Sequence, residues 1–450
     1  MGKTRMRQLA TGATALLLCM GFVTVGSSFV NAGAASARTP GVTAKQITIG
    51  ATVPLTGIAS SGYNEVAKAA NAVFNYVNKK GGVNGRKIKY ITKDDCYNTP
   101  GLGCAGAGST VAQTRTLLSA PVFATVGSLG TAPQDLVRSL LKSNGVPQLF
   151  VNSGSRDWNS PNTYPGLFGW QTSYNEEGKI FAKYINATYP TDNTCFLGQG
   201  DDFGADGLAG LVAGGVSPSD TQFYSVTALV LSQGASVGPY VAKFQSDKCT
   251  VVVLDTIPGA TDAVLGAALK LGYSPHWVIS SVGSDPVAVF APFAKAGLPT
   301  SPEVGAISFS FLPTSANSSS WIPWMRKVLT ADTAQFPGFN STSILDGNME
   351  YGIGWGVAFV EALKAAGKTF TRASFLKILT STTFSQTPSL TPLRYTTSDH
   401  QGLNGGYLTR VTSGTALTTV DGKIYTTDSS PSGVVTSAKK LSSGIPSWLK

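Results

Sequence analysis

Three short stretches rich in hydroxyl groups each follow an apolar run. They are "PLTGIASSGY" (residues 54–63), "SLGTAPQD" (128–135) and "NSGSRDW" (152–158). Ser128, Thr131, Ser153 and Ser155 stand beside expected helix starts, where free N–H groups and the helix dipole favour an anion. Hydroxyls there also serve as N-caps and turn residues, so no single one marks a site. Three such loops on one sheet edge point to a polar ligand, with a carboxylate the first candidate. Two further loops, "GQGDDFGADG" (198–207) and "DTIPGATD" (255–262), follow other apolar runs. Phe203 could stack on a ligand, and Asp255 could meet a cation.

Catalytic constellations are weak. Two histidines, His276 and His400, leave little for a hydrolase triad. The full G-x-x-x-x-G-K-[ST] phosphate loop is absent, and "GLGCAG" (101–106) matches G-x-G-x-x-G without a preceding strand. Adjacent carboxylates, Asp94-Asp95 and Asp201-Asp202, would face opposite ways on a strand, so they read as solvated loop charges rather than an acid/base pair. No enzyme, cofactor or metal is expected.

The chain has 450 residues, 42% of them hydrophobic and 13% charged, which suits a globular protein of two or three domains. Lys3, Arg5 and Arg7 precede an apolar run, and Ala35-Ser36-Ala37 fits a cleavage site, so residues 1–37 read as a signal peptide. Its loss lowers the net charge from +10 to +7, because those three bases leave and no acid does. The remaining bases are scattered, which speaks against nucleic acid. Four cysteines then remain, an even number that suits two disulfides in an exported chain. Cys96 and Cys104 bracket a short loop. Cys195 and Cys249 each open an apolar run, and adjacent parallel strands would bring their starts within about 5 Å.

These residues need elements to hold them. "ITIGATV" (47–53) reads as a strand, followed by a helix in which Val66, Ala69, Ala70, Val73, Phe74 and Val77 recur at helical spacing. Two more strand–helix pairs carry the chain to a fourth strand, "VPQLFVN" (146–152). The strands are continuously apolar, which predicts a parallel sheet with helices on both faces. The pattern restarts near Tyr174 and runs to Pro302, with "TQFYSVTALV" (221–230) expected as one strand. Later helices, "SSWIPWMRKVLTADTAQF", "LDGNMEYGIGWGVAFVEALKAAG" and "TRASFLKILTST", have no sheet of their own and should return to the first unit. The expected fold is α/β, two doubly wound parallel-sheet lobes joined by three crossings near residues 170, 305 and 400–410. Residues 45–170 plus 312–395 would form one lobe, and 171–305 plus 405–450 the other.

"ITIGATVPLTG", "AANAVFNYVNKKGGVNGRKIKYITKDDC", "DDFGADG" and "YGIGWGVAFVEALKAAG" together resemble the type I periplasmic-type binding proteins of the branched-chain amino acid (Leu/Ile/Val) group, the solute-capturing components of ATP-driven importers. The resemblance spans roughly residues 45–415. It implies that Thr131, with Ser128 nearby, grips a ligand carboxylate. It implies that Ser153, Gly154 and Ser155 hold the ammonium and carboxylate, that Phe203 supplies an aromatic wall, and that Tyr63, Asp255 and Thr256 complete the site. It also implies an ABC permease as partner. Amino-acid binders of this group carry an acid after the strand that here reads "HWVISSVGSD". This chain has Ser281, Val282 and Gly283 there, with Asp285 following. The group's disulfide in the first lobe has a counterpart in Cys96, but Cys104 is a local partner. The expectation is an exported monomer, extracellular, cell-surface or periplasmic, that closes two lobes over a small polar ligand. The alternative is an extracellular sensor with the same fold and no transport role.

Overall fold

The continuously apolar runs do form parallel strands in a computed structural model, which describes residues 39–450 except 100, 103, 105, 298–301, 315–318, 414–415 and 439–443. The expected signal peptide and cleavage site lie outside the described residues. Among the described residues, no helix is long and apolar enough to cross a membrane.

The first half alternates β1 (Gln46–Val53), α1 (Tyr63–Lys79), β2 (Lys87–Asp94), α2 (Thr110–Leu118), β3 (Thr125–Val126), α3 (Thr131–Asp135), α4 (Arg138–Ser143), β4 (Gln148–Val151) and β5 (Leu167–Gly169). The strands pair in the order β2-β1-β3-β4-β5, all parallel. Helix α1 buries the predicted stripe of Val66, Ala69, Ala70, Val73, Phe74 and Val77.

The second half begins with α5 (Tyr174–Thr188), whose start is fixed by a capping box between Ser173 and Glu176. It continues through β6 (Thr194–Gln199), α6 (Asp202–Ala213), β7 (Asp220–Tyr224), α7 (Val226–Leu231), α8 (Gly238–Ser246), β8 (Val251–Asp255), α9 (Pro258–Leu271), β9 (His276–Ile279), α10 (Pro286–Lys295) and β10 (Ile307–Ser310). "TQFYSVTALV" is not one strand. It breaks at Ser225, whose hydroxyl accepts from Ala228 N and starts α7. A local side-chain cap outcompetes the β-branched composition there.

The chain then returns to the first sheet with α11 (Trp321–Thr330), α12 (Gly347–Ala366) and α13 (Arg372–Ser381), where α1 packs against both α11 and α12. A small hairpin, β11 (Thr383–Phe384) and β12 (Leu393–Arg394), precedes the last crossing. Beyond it, β13 (Gly405–Ser413), β14 (Ala416–Thr426) and β15 (Thr436–Ala438) extend the second sheet antiparallel, giving the order β15-β14-β13-β10-β9-β8-β6-β7. The last segment, rich in Ser and Thr, thus holds two strands, since Thr suits a half-exposed edge. The chain's end departs from the second lobe. Leu449 is buried, and its carbonyl accepts from Trp324 Nε1 and Tyr76 Oη on α11 and α1.

Both predicted disulfides are present, with Cα–Cα distances of 6.2 Å for Cys96–Cys104 and 5.8 Å for Cys195–Cys249. The second pair joins the start of β6 to the approach to β8, as parallel neighbours require.

Candidate functional site

A cavity lies where the C-terminal ends of both sheets meet the start of α12. Its first-lobe wall includes Tyr63, Tyr97, Leu129, Gly130 and Asn152. The second lobe contributes Tyr174, Phe203, Ser281, Val282 and Asp285. Crossing elements add Gln171, Phe309, Phe311, Asn348, Glu350 and Tyr351. Among the described residues, no lysine, arginine or histidine lines it.

The opening loop is organised by Asp94, which was expected to be solvated. One carboxylate oxygen accepts from the N–H groups of Leu55 and Cys96, and the other from the Thr56 hydroxyl. Asp95 is fully buried and accepts from Tyr97 N and the Thr110 hydroxyl. Burial pushes its carboxyl up to about 7, although those bonds pull the other way. The pair therefore shapes a loop, because backbone N–H groups at a strand end need acceptors. Ser60 Oγ donates to the carbonyl of Gly57, and neither Ser60 nor Ser61 lines the cavity.

Of the predicted site residues, Tyr63 and Phe203 line the cavity. Tyr63 Oη donates across the lobes to the Val282 carbonyl at 3.0 Å. Phe203 packs on Tyr174 with ring centroids 4.4 Å apart. Ser128, Thr131, Ser153, Gly154, Ser155, Asp255 and Thr256 are buried but are not among the lining residues. The hydroxyls and the Gly154 carbonyl have protein partners. Ser128 Oγ accepts from Thr52 N, Thr131 and Ser153 share a 2.7 Å hydroxyl contact, and Ser155 Oγ accepts from Asp157 N. Gly154 O accepts from Tyr174 N, and Thr256 Oγ1 meets Thr261 Oγ1 at 2.7 Å. Asp255 packs on α6, where a Cβ at Gly207 would stand 1.5 Å from its Oδ2. Burial holds the Asp255 carboxyl well above the usual range, and the charges of Glu177 and Asp206 add to that. These groups back the wall, and Tyr174, hydrogen-bonded to Ser153 and Gly154, presents it.

Residues that the loop pattern missed line this wall or brace it from behind. Glu177 accepts from Ser281 N and Oγ, both at 2.7 Å, so the segment after β9 is tied to α5. Asp285 lines the cavity, yet its oxygens accept from Ala288 N at 2.9 Å and Gly347 N at 2.7 Å, joining the starts of α10 and α12. Burial raises the Glu350 carboxyl well above the usual range. The charge of Asp285 acts the same way, and Arg326 opposes it. The sequence signal for this wall was Asp346 before "GNMEYG". Asp346 caps α12 through Met349 N, and a polar first turn on an otherwise apolar helix invites a solvent or ligand contact.

The two lobes also bond directly. Asp206 on α6 accepts from Arg156 N and Nε, both at 2.7 Å, and Arg156 Nη2 completes the fork at 2.7 Å. Gln199 Nε2 donates to Tyr97 Oη at 3.2 Å. His400 is buried, 2.9 Å from the Leu167 carbonyl, and His276 is exposed on β9; neither lines the cavity. One G-x-S-x-G spacing occurs at Gly234–Gly238, but Ser236 sits in a 3-10 turn between α7 and α8 rather than on a strand-to-helix elbow.

A family model described as periplasmic binding protein matches residues 46–416. No curated protein sequence matches. Several solved structures share the fold. A substrate-binding periplasmic protein from Ralstonia solanacearum is 17% identical with a TM-score of 0.67, covering 87% of this chain and 99% of its own. A branched-chain amino acid ABC transporter protein from Thermus thermophilus, with bound valine, is 16% identical with a TM-score of 0.65, covering 84% and 96%. A solute binding protein of an ABC transporter from Rhodopseudomonas palustris BisB5, in complex with 3,4-dihydroxy benzoic acid, is 14% identical with a TM-score of 0.63, covering 89% and 98%.

Proposed function

The chain belongs to the periplasmic binding protein family, and from that premise we propose that it is an exported solute-binding protein that captures a small polar molecule between its lobes and delivers it to an ABC permease. The observation that carries this reading is a cavity walled by both lobes and by α12, with the lobes bonded to each other around it. A ligand that touches both lobes selects the closed form, because only there are all its contacts made. The ligand is a carboxylate or an amino-acid-like compound, and the acids on the wall favour the latter. Tyr63 and Phe203 contact it. Thr131, Ser153, Gly154 and Ser155 hold the Tyr174 wall in place from behind. No bond is made or broken, and the protein acts as a monomer.

Binding at micromolar Kd would be worth about −8 kcal/mol, well within what such a cleft supplies. The test is a thermal-shift screen of the purified protein against amino acids, amides and aromatic acids, followed by calorimetry. At least one class should raise the melting temperature by several degrees. If no compound in the panel does so, the capture reading fails.

A further inference from the structure

Resting on the capture reading, we propose that the cavity selects a ligand with a positively charged nitrogen, and that Glu350 and Asn348, in the first turn of α12, form the polar end of its site. Both side chains belong to the cavity wall and are almost fully buried, Glu350 at 4% exposure and Asn348 at 7%. Glu350 Oε1 and Asn348 Nδ2 have no hydrogen-bond partner among the described residues. Buried polar atoms are nearly always paired, so a pair left open on a cavity wall marks where a ligand's own polar atoms go. One is an acid and the other a donor. They suit an ammonium group with a neighbouring oxygen acceptor.

Charge decides the sign. Asp285 lies on the same wall, but the N–H groups of Ala288 and Gly347 already occupy its oxygens. That leaves Glu350 as the acid free to receive the ligand. No lysine, arginine or histidine among the described residues lines the cavity. Arg326, the cation that acts on Glu350, donates instead to the carbonyls of Ser341 and Ser343. A ligand carboxylate would stand beside two carboxyls with no cation on the wall itself, whereas an ammonium group would draw Glu350 into its charged form. The rest of the wall suits the same guest. Tyr63 and Tyr351 have their hydroxyls committed to Val282 O and Gln171 Oε1, and Tyr174 and Phe203 pack as a pair. Aromatic surfaces of this kind attract cations and bury an apolar body.

The opening loop sets this end of the site. Gly62 has a φ of 74°, and a Cβ there would stand 2.3 Å from Asn348 Nδ2. Glycine lets the loop close against the Asn348 amide, so the two walls of the polar end meet.

The experiment titrates the purified protein by calorimetry with benzylamine, phenethyltrimethylammonium and choline, each against its hydroxyl or carboxylate isostere. At least one ammonium probe should bind ten times or more tighter than its neutral counterpart, with its carboxylate counterpart weaker still. Glu350→Gln should weaken that probe about tenfold to a hundredfold and leave the neutral one unchanged, while the ligand-free protein melts no lower than wild type. Carboxylates binding as tightly as ammonium compounds, or an unchanged preference in Glu350→Gln, would overturn the proposal. If only acids or neutral amides from the broader panel bind, the inference falls and capture stands. If nothing binds in either panel, both fall.

Discussion

Replacing Arg156 with alanine should weaken ligand binding without unfolding either lobe. Arg156 leaves β4 in a single 3-10 turn, while Asp206 sits on α6 of the opposite lobe. The wild-type contact is a fork, Nε and Nη2 each 2.7 Å from Oδ1, with the backbone N–H on Oδ2. Asp206 is held in a buried position, its side chain 7% exposed, whereas that of Arg156 is 42% exposed. Charge-assisted bonds are worth about 1.5–3 kcal/mol when shielded, and exposed ion pairs about 0–1 kcal/mol. A half-exposed fork falls between, at about 1–2 kcal/mol, because water already solvates part of the guanidinium. If the fork forms only on closure, its loss shifts the closed state by that amount, which raises Kd about five- to thirtyfold. Arg156→Lys should recover only part of the loss, since an ammonium cannot bind bidentately. Calorimetry with a ligand from the screen measures the ratio, at low and at physiological salt, and the effect should shrink as salt rises. A Kd within twofold of wild type, in a variant with an unaltered melting temperature, would refute the reasoning that this pair latches the lobes.

Three further outcomes follow from the same geometry. Removing Cys195–Cys249, which closes 54 residues, should lower unfolding free energy by about 4 kcal/mol, against about 2.5 kcal/mol for Cys96–Cys104, which closes 8; urea midpoints of the paired serine variants compare them. Glu176 is buried, and burial pushes its carboxyl from 4.5 up to about 8, so the folded protein holds that proton more tightly than the unfolded chain. Its contribution is full below pH 4.5 and lost as pH rises through 8, so Glu176→Gln should flatten the fall in melting temperature across that window. Gly207→Ala should destabilise by roughly 1–3 kcal/mol, because the new Cβ would overlap Asp255, and a melting temperature equal to wild type would contradict that contact.

Much of the fold was legible because its signals are local. Unbroken apolar runs predicted β1, β4, β6 and β8, helical spacing predicted α1, and the segment that forms α12 read as a helix. The disulfide pairs followed from loop length and from parallel neighbours sharing a start. The misses were local contests with close margins, such as the Ser225 cap against a strand-like sequence, or Thr-rich β14 at a half-exposed edge.

The site divided differently. Loops after parallel strands must gather at one edge, so the sequence alone could place "PLTGIASSGY" and "DDFGADG" near a ligand, and Tyr63 and Phe203 do line the cavity. Whether a hydroxyl points at a ligand or at its neighbour is not a local property. Thr131 meets Ser153, and Thr256 meets Thr261, because a buried hydroxyl takes the nearest partner that the packed loops offer. Glu350 and Asn348 reached the cavity only through docking of α12 on α1, some 290 residues from the loop they face. Periodicity could mark α12 as a buried helix. Only tertiary packing decided that its first turn would end in a cavity, with an acid and an amide left open there.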